Sequence, residues 1–185
     1  MLTQNSIKKV YRSDIDLLKG FAILAVVFYH MGISHSGYLG VDAFLVINGF
    51  LIMPKVVRDI SNGNFSYFPF LEKRIMRLLP LMLLASLFVM IVGYFGMLPD
   101  DYENLAESVV ATNFFSNNIL ASITVKNYWD VGNDYKALMH TWYIGILFEF
   151  WLLFPLIVMF VKWLSKKFSF RFDKYVVITI VALTI

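Results

Sequence analysis

Cysteine is absent, so no disulfide can brace the fold, no thiolate can hold zinc, and no cysteine can serve as a nucleophile. Charge is scarce as well: 16% of the 185 residues are Asp, Glu, Lys or Arg, against 59% hydrophobic, with a mean hydropathy of +0.68. That balance excludes an ordinary soluble domain and calls for several membrane spans. The sequence also lacks a glycine-rich phosphate loop, a zinc-ligand signature and a Gly-x-Ser-x-Gly elbow, which removes the common nucleotide, metal and serine-hydrolase chemistries. No metal is therefore expected. The basic residues flank apolar runs instead of covering a soluble scaffold, so nucleic acid is not an expected partner, whereas the lipid bilayer is. What is abundant is aromatic: 18 Phe, 10 Tyr and 4 Trp suit lipid-facing packing and interfacial belts.

Apolar runs and turn signals divide the chain. Ser13-Asp-Ile-Asp16 has the form of a helix-starting cap and leads into a first span over 17–33. No small-residue cleavage site follows, so this segment is expected to remain in place and not be removed as a signal peptide. After a short turn at Ser34–Gly37, a second span runs over 38–54 and closes at Pro54. A basic connection with Lys55, Arg58, Lys73, Arg74 and Arg77 precedes an uncharged third span, 78–98. The stretch 105–123 carries Glu107, Ser108, Thr112, Asn113, Asn117 and Asn118, too polar for a lipid-exposed crossing, and is expected to be interfacial or re-entrant. A strong span at 141–161 holds a single charge, Glu149, and 175–185 starts a further span that stops in mid-run. The expected fold is an all-α polytopic transmembrane helix bundle, truncated, the N-terminal part of a longer membrane protein. The positive-inside rule puts the N-terminus, the Lys55–Arg77 connection and the Lys162–Lys174 cluster in the cytoplasm, as in a multi-pass protein of the plasma or inner membrane.

Ionisable residues inside apolar segments mark candidate sites. Lys19 and His30 are eleven residues apart. On a helix that is about three turns, which puts both on one face about 16 Å apart. If the hairpin turn centres near Ser36, Asp42 lies level with His30 on the neighbouring helix. A carboxylate there would orient the imidazole as a general base for a hydroxyl, or the pair would simply tie the hairpin together. Arg74 and Arg77, at i and i+3, either match phosphate oxygens or contact lipid headgroups. Glu149 needs a partner from another helix. Trp142, like Tyr143, Tyr128 and Trp129, either stacks on substrate or anchors at the interface.

Four blocks then occur in one order. Tyr11-Arg-Ser-Asp-Ile-Asp16 leads through Lys19-Gly-Phe-Ala to His30, and Gly37-Tyr-Leu-Gly-Val-Asp42 leads on to Ile52. Phe70-Leu-Glu-Lys-Arg-Ile-Met-Arg77 follows, and then Asn127-Tyr-Trp-Asp130 with Leu138-Met-His-Thr-Trp142 and Phe150-Trp-Leu-Leu-Phe-Pro155. Together, over nearly all of 12–155, these resemble the acyltransferase 3 family of integral-membrane O-acyltransferases, which includes O-antigen and peptidoglycan O-acetylases. The resemblance implies transfer of an acyl group, commonly acetyl, from acyl-CoA (acetyl-CoA) to a hydroxyl of a cell-surface glycan or lipid-linked saccharide. It implies that His30 stands at the family's essential histidine, to which the hairpin reading adds Asp42 as a supporting partner. Lys19, where an arginine is usual, and Arg74 with Arg77 would then hold the donor. Glu149 and Trp142 fall in the block expected to meet the acceptor, although Gly145-Ile-Leu-Phe-Glu-Phe150 departs from the family's Ser-Val-Glu-Glu-Gln-Phe run. Two rival readings use the same residues: a transporter or flippase of a lipid-linked glycan, and a non-catalytic membrane subunit.

Overall fold

Every regular element among the described residues is a helix, as the scarcity of polar residues requires when backbone groups must be satisfied within their own segment. The computed structural model describes residues 12–124, 137–169 and 171–183, and among these there is no strand. The helices are α1 (Ser13–His30), α2 (Leu39–Ser61), α3 (Tyr67–Gly96), α4 (Pro99–Asn113), α5 (Asn117–Thr124), α6 (Trp142–Phe168) and α7 (Phe172–Leu183). Among the described residues three segments are long and apolar enough to cross a membrane: α2, α3, and Met139–Phe168, which is α6 with its leading 3₁₀ turn. Helix α1, with 18 residues, carries Asp14, Asp16 and Lys19 in its first turns and is not among those three.

The chain divides into two compact units, one ending at Pro54 and the other starting at Lys55. In the first, the cap expected from Ser13 is not made. Ser13 is already helical, Arg12 occupies the N-cap position, and its guanidinium grips Asp14 at 2.8 and 2.9 Å. The Arg12 hydrogen bond holds the Asp14 carboxyl down at about 2. At the other end Gly32, at φ +72°, closes α1: its N–H reaches the Tyr29 carbonyl at 3.0 Å, and the Ile33 N–H reaches Phe28 at 2.9 Å. These two bonds form a Schellman cap, and the left-handed residue it needs is glycine.

Gly37 and Gly40 set the approach of the two helices of this unit. A Cβ built on Gly37 would fall on the Ala25 carbonyl oxygen and 2.7 Å from the Tyr29 Cβ. One on Gly40 would fall on the Ala22 carbonyl oxygen and 2.8 Å from Val26 Cγ2. Small residues three apart thus let the α2 backbone lie directly on α1. Helix α2 does not end at Pro54 as expected but continues to Ser61. A proline inside an apolar helix breaks only its own i−4 hydrogen bond, and neighbouring packing tolerates the bend. Pro80 in α3 and Pro155 in α6 are accommodated in the same way.

In the second unit the Lys55–Arg77 connection is mostly helix. It consists of the end of α2, a turn closed by Gly63 at φ +76°, and the first turns of α3, which begins at Tyr67 instead of Leu78. Helix α3 packs on α4 and α6, α5 on α6, and α6 on α7. The stretch expected not to cross is two short helices, α4 of 15 residues and α5 of 8. They are split at Phe115, which sits at φ 57° with its ring stacked 4.7 Å from that of Phe148. At 1.5 Å per residue, about 22 Å and 12 Å, neither is long enough to cross. Lys162 on α6 donates to the carbonyls of Ile60 and, at 3.0 Å, Ser61, so a cation closes the negative C-terminal end of α2.

Candidate functional site

Lys19 and His30 occupy one flank of α1, as the spacing requires. His30 is the exposed last residue of the helix, its ring edge-on to Tyr29 at 5.3 Å. Lys19 is half-buried and pairs with Asp16 at 3.1 Å. Asp42 is not level with His30. Gly37 lies against Ala25 and Tyr29 and Gly40 against Ala22 and Val26, so Asp42 falls near the level of Ala22. That is eight residues, or about 12 Å, below His30. It also points elsewhere: Asp42 is about 200° around α2 from Gly40, whose face meets α1, and its side chain is exposed. The expected partnership therefore fails. The reason is that the Gly32 cap ends α1 early and moves the hairpin apex away from Ser36.

In the second unit Arg74 is half-buried. Its Nη1 donates to the Phe70 carbonyl at 2.7 Å, and its guanidinium lies 3.6 Å from the centre of the Phe70 ring and 5.7 Å from that of Trp151. This stacking fixes the plane of the fork and leaves most of its five donors available. Arg77, one turn on, is exposed. The two share a helix face but not an environment.

Glu149 finds the partner from another helix that its position demanded. Asn118 Nδ2 donates to its Oε1 at 2.7 Å. The partner is an amide, not a cation. The contact depends on Gly145, where a Cβ would strike the Asn118 side chain and come within 3.1 Å of the Phe115 carbonyl. Trp142, half-buried at the start of α6, lies seven residues before Glu149 and so on the same face, about 10 Å away along the axis. Replacing Glu149 with leucine strands Asn118 Nδ2, whereas glutamine keeps an acceptor. The leucine variant should lose about 1–3 kcal/mol and the glutamine variant little, read as melting temperatures of the purified protein.

Around this pair lies a polar cluster that the sequence reading did not assign. Buried Asn117 donates to the Leu138 carbonyl at 2.8 Å and to Thr141 Oγ1 at 2.6 Å. Thr141 shares a 2.7 Å bond with buried Thr112, and Asn113 reaches Ser86 on α3 at 3.0 Å. The signal was the run of Thr, Asn and Ser in 112–118, read only as a reason not to cross. Tyr128 and Trp129 lie outside the described residues. No group of three or more His, Cys, Asp or Glu is gathered among the described residues.

A family profile described as an acyltransferase domain matches residues 12–185. The chain belongs to the acyltransferase 3 family. Among curated relatives of this acyltransferase-family chain, O-acetyltransferase OatA of Staphylococcus aureus strain NCTC 8325 / PS 47 is 28% identical over 163 residues. That alignment covers 81% of this chain and 25% of OatA. OatA of strain COL matches to the same extent. The protein SAS0844 of strain MSSA476 is 27% identical over 173 residues, covering 86% of this chain and 27% of its own. The chain thus spans about a quarter of the length of the curated relatives it matches. No solved structure matches it significantly.

Proposed function

We propose that the protein is a membrane O-acyltransferase that moves an acyl group, acetyl by analogy with its O-acetyltransferase relatives, from acyl-CoA to a hydroxyl of a cell-envelope glycan. The observation that carries this reading is the family match over 12–185, a range that contains His30. Three apolar segments of membrane-crossing length support a bilayer setting. The basic ends of α2 and α3 and the Lys162–Lys174 cluster argue for a cytoplasmic N-terminus and several passes.

In this reading His30 is the base that takes the proton from the acceptor hydroxyl, and the resulting alkoxide attacks the thioester carbonyl. The coenzyme A thiolate leaves. Arg74 and Arg77 bind donor phosphates, Arg74 with its fork already held against Phe70 and Trp151. Lys19, paired with Asp16, adds positive charge on the flank of α1 below His30. Glu149 and Trp142 belong to the acceptor side. Asp42 has no place in the proton transfer, because its level and direction separate it from the imidazole.

The testing experiment is acetyl transfer from labelled acetyl-CoA by membranes containing the full-length protein; absence of transfer to any glycan fraction refutes the reading. Arg74→Ala should raise the KM for acetyl-CoA about tenfold or more while leaving the KM for acceptor nearly unchanged, since a charge-assisted bond contributes about 1.5–3 kcal/mol. Equal effects on both substrates would remove Arg74 from the donor site.

A further inference from the structure

Beyond Glu149, one face of α6 stays exposed among the described residues. Leu153, Leu156, Phe160 and Trp163 lie on it, and their spacing sets them, together with Lys167, within about 80° of helix arc. The Phe160 and Trp163 rings are stacked at 5.9 Å. The Lys167 ammonium rests 5.2 Å from the centre of the Trp163 ring and 5.7 Å from that of Phe168. From Leu153 to Trp163 is about 15 Å, half of the roughly 30 Å hydrocarbon layer. The face is thus one leaflet long, aliphatic at its deep end, aromatic towards the boundary, and closed by a cation.

The charge at this end is uncompensated. Arg12 and Lys19 pair with Asp14 and Asp16, Arg58 with Asp59, and Lys162 is engaged by the α2 carbonyls. Lys166 and Lys167 in the last turn of α6, Arg171, and Lys174 at the start of α7 make no ion pair among the described residues. Asp173 is the one acid between 162 and 174. The negative end of the α6 dipole favours Lys166 and Lys167, but it has no claim on Arg171 or Lys174, which stand at the positive end of α7. Four like charges around one turn repel unless an anion lies among them. A soluble phosphate would answer the charges and leave the apolar face bare. A fatty chain would cover the face and leave the charges bare. A zwitterionic lipid brings its own cation to a place already crowded with them. An anionic phospholipid answers both parts, its phosphate at the boundary and its chains along the helix.

We propose that this face of α6 is a binding site for an anionic phospholipid, with the lipid phosphate held at Lys166 and Lys167 and the acyl chains laid over Phe160 and Trp163. The site is separate from the chemistry of acyl transfer. The test is native mass spectrometry of the full-length protein released from detergent micelles doped with equal amounts of dioleoyl phosphatidylglycerol and dioleoyl phosphatidylcholine. The unmutated protein should retain phosphatidylglycerol in preference. Lys166→Gln/Lys167→Gln should lower that preference about tenfold or more, and Lys167→Gln alone, which keeps three of the four charges, about fivefold. Lys166→Arg/Lys167→Arg keeps the charge and should retain the preference. Excess coenzyme A should not displace the lipid. No preference in the unmutated protein overturns the proposal. So does a preference unchanged in both glutamine variants, which would leave the face to a further segment of the chain or to another protein. Displacement by coenzyme A would make the lysines a site for soluble phosphates and overturn it as well.

Discussion

Exchange of His30 for alanine in the full-length protein is expected to abolish acyl transfer while leaving insertion and yield unchanged. Removing the side chain leaves the end of α1 intact, because α1 is closed by the Gly32 cap and not by the imidazole. His30 is exposed, with Tyr29 at its ring edge. A positioned general base contributes about 10²–10⁴-fold to rate, so the loss should be complete within the sensitivity of a labelled-acetyl assay. His30→Gln keeps the size and a hydrogen-bonding group but no base, and should be equally inactive. Transfer retained in either variant, or a protein that no longer reaches the membrane, removes His30 from the chemistry. Asp42→Asn, by contrast, should retain most activity, because that carboxylate lies about 12 Å from the level of the imidazole and on the far side of α2.

Substituting Gly40 with valine should do severe structural damage to the first unit. The new Cβ would fall on a backbone carbonyl, that of Ala22, and a backbone cannot swing aside as a long side chain can. The helices must separate or the hairpin must shift, and overpacking of this kind costs about 1–3 kcal/mol, more for a branched residue. Thermal melting of the purified protein should drop by several degrees. Gly20→Ala provides the contrast: nothing lies within 4 Å of a Cβ there, and alanine gains up to about 1 kcal/mol of helix propensity. Equal melting shifts for the two substitutions would mean that the close α1–α2 approach does not stabilise the protein.

The helical architecture was legible because apolar runs of membrane length admit few alternatives, and the polar run from Thr112 to Asn118 falls where the stretch breaks into two short helices. Element ends were less legible. Pro54 reads as a stop in any water-exposed helix, yet α2 passes through it, because an apolar surrounding offers the freed backbone nothing better than continued helix. Ser13 looked like a cap, but the Arg12–Asp14 fork took over the start of α1. The candidate site was legible residue by residue and only partly as geometry. That Glu149 needed a partner followed from its place as the single charge in an apolar span, but that the partner is Asn118, thirty-one positions earlier, depends on Gly145 leaving room for it. The His30–Asp42 error came from taking the middle of a hairpin sequence as its apex, when a left-handed glycine four residues earlier had already turned the chain.

The clasp of Lys162 on the end of α2 also serves as a ruler. From Trp142 to Lys162 along α6 is about 30 Å, which is the thickness of a bilayer's hydrocarbon layer. The lysine therefore lies at one polar boundary when the tryptophan lies at the other, and it holds the last carbonyls of α2 at that same depth. Glu149 and its amide are then fixed about 10 Å inside the opposite boundary, whatever the loops do. Longer lipid chains impose a hydrophobic mismatch that the protein can absorb only by tilting α6 or by opening the clasp. The depth of the acidic group is thereby coupled to the thickness of the membrane in which the protein resides.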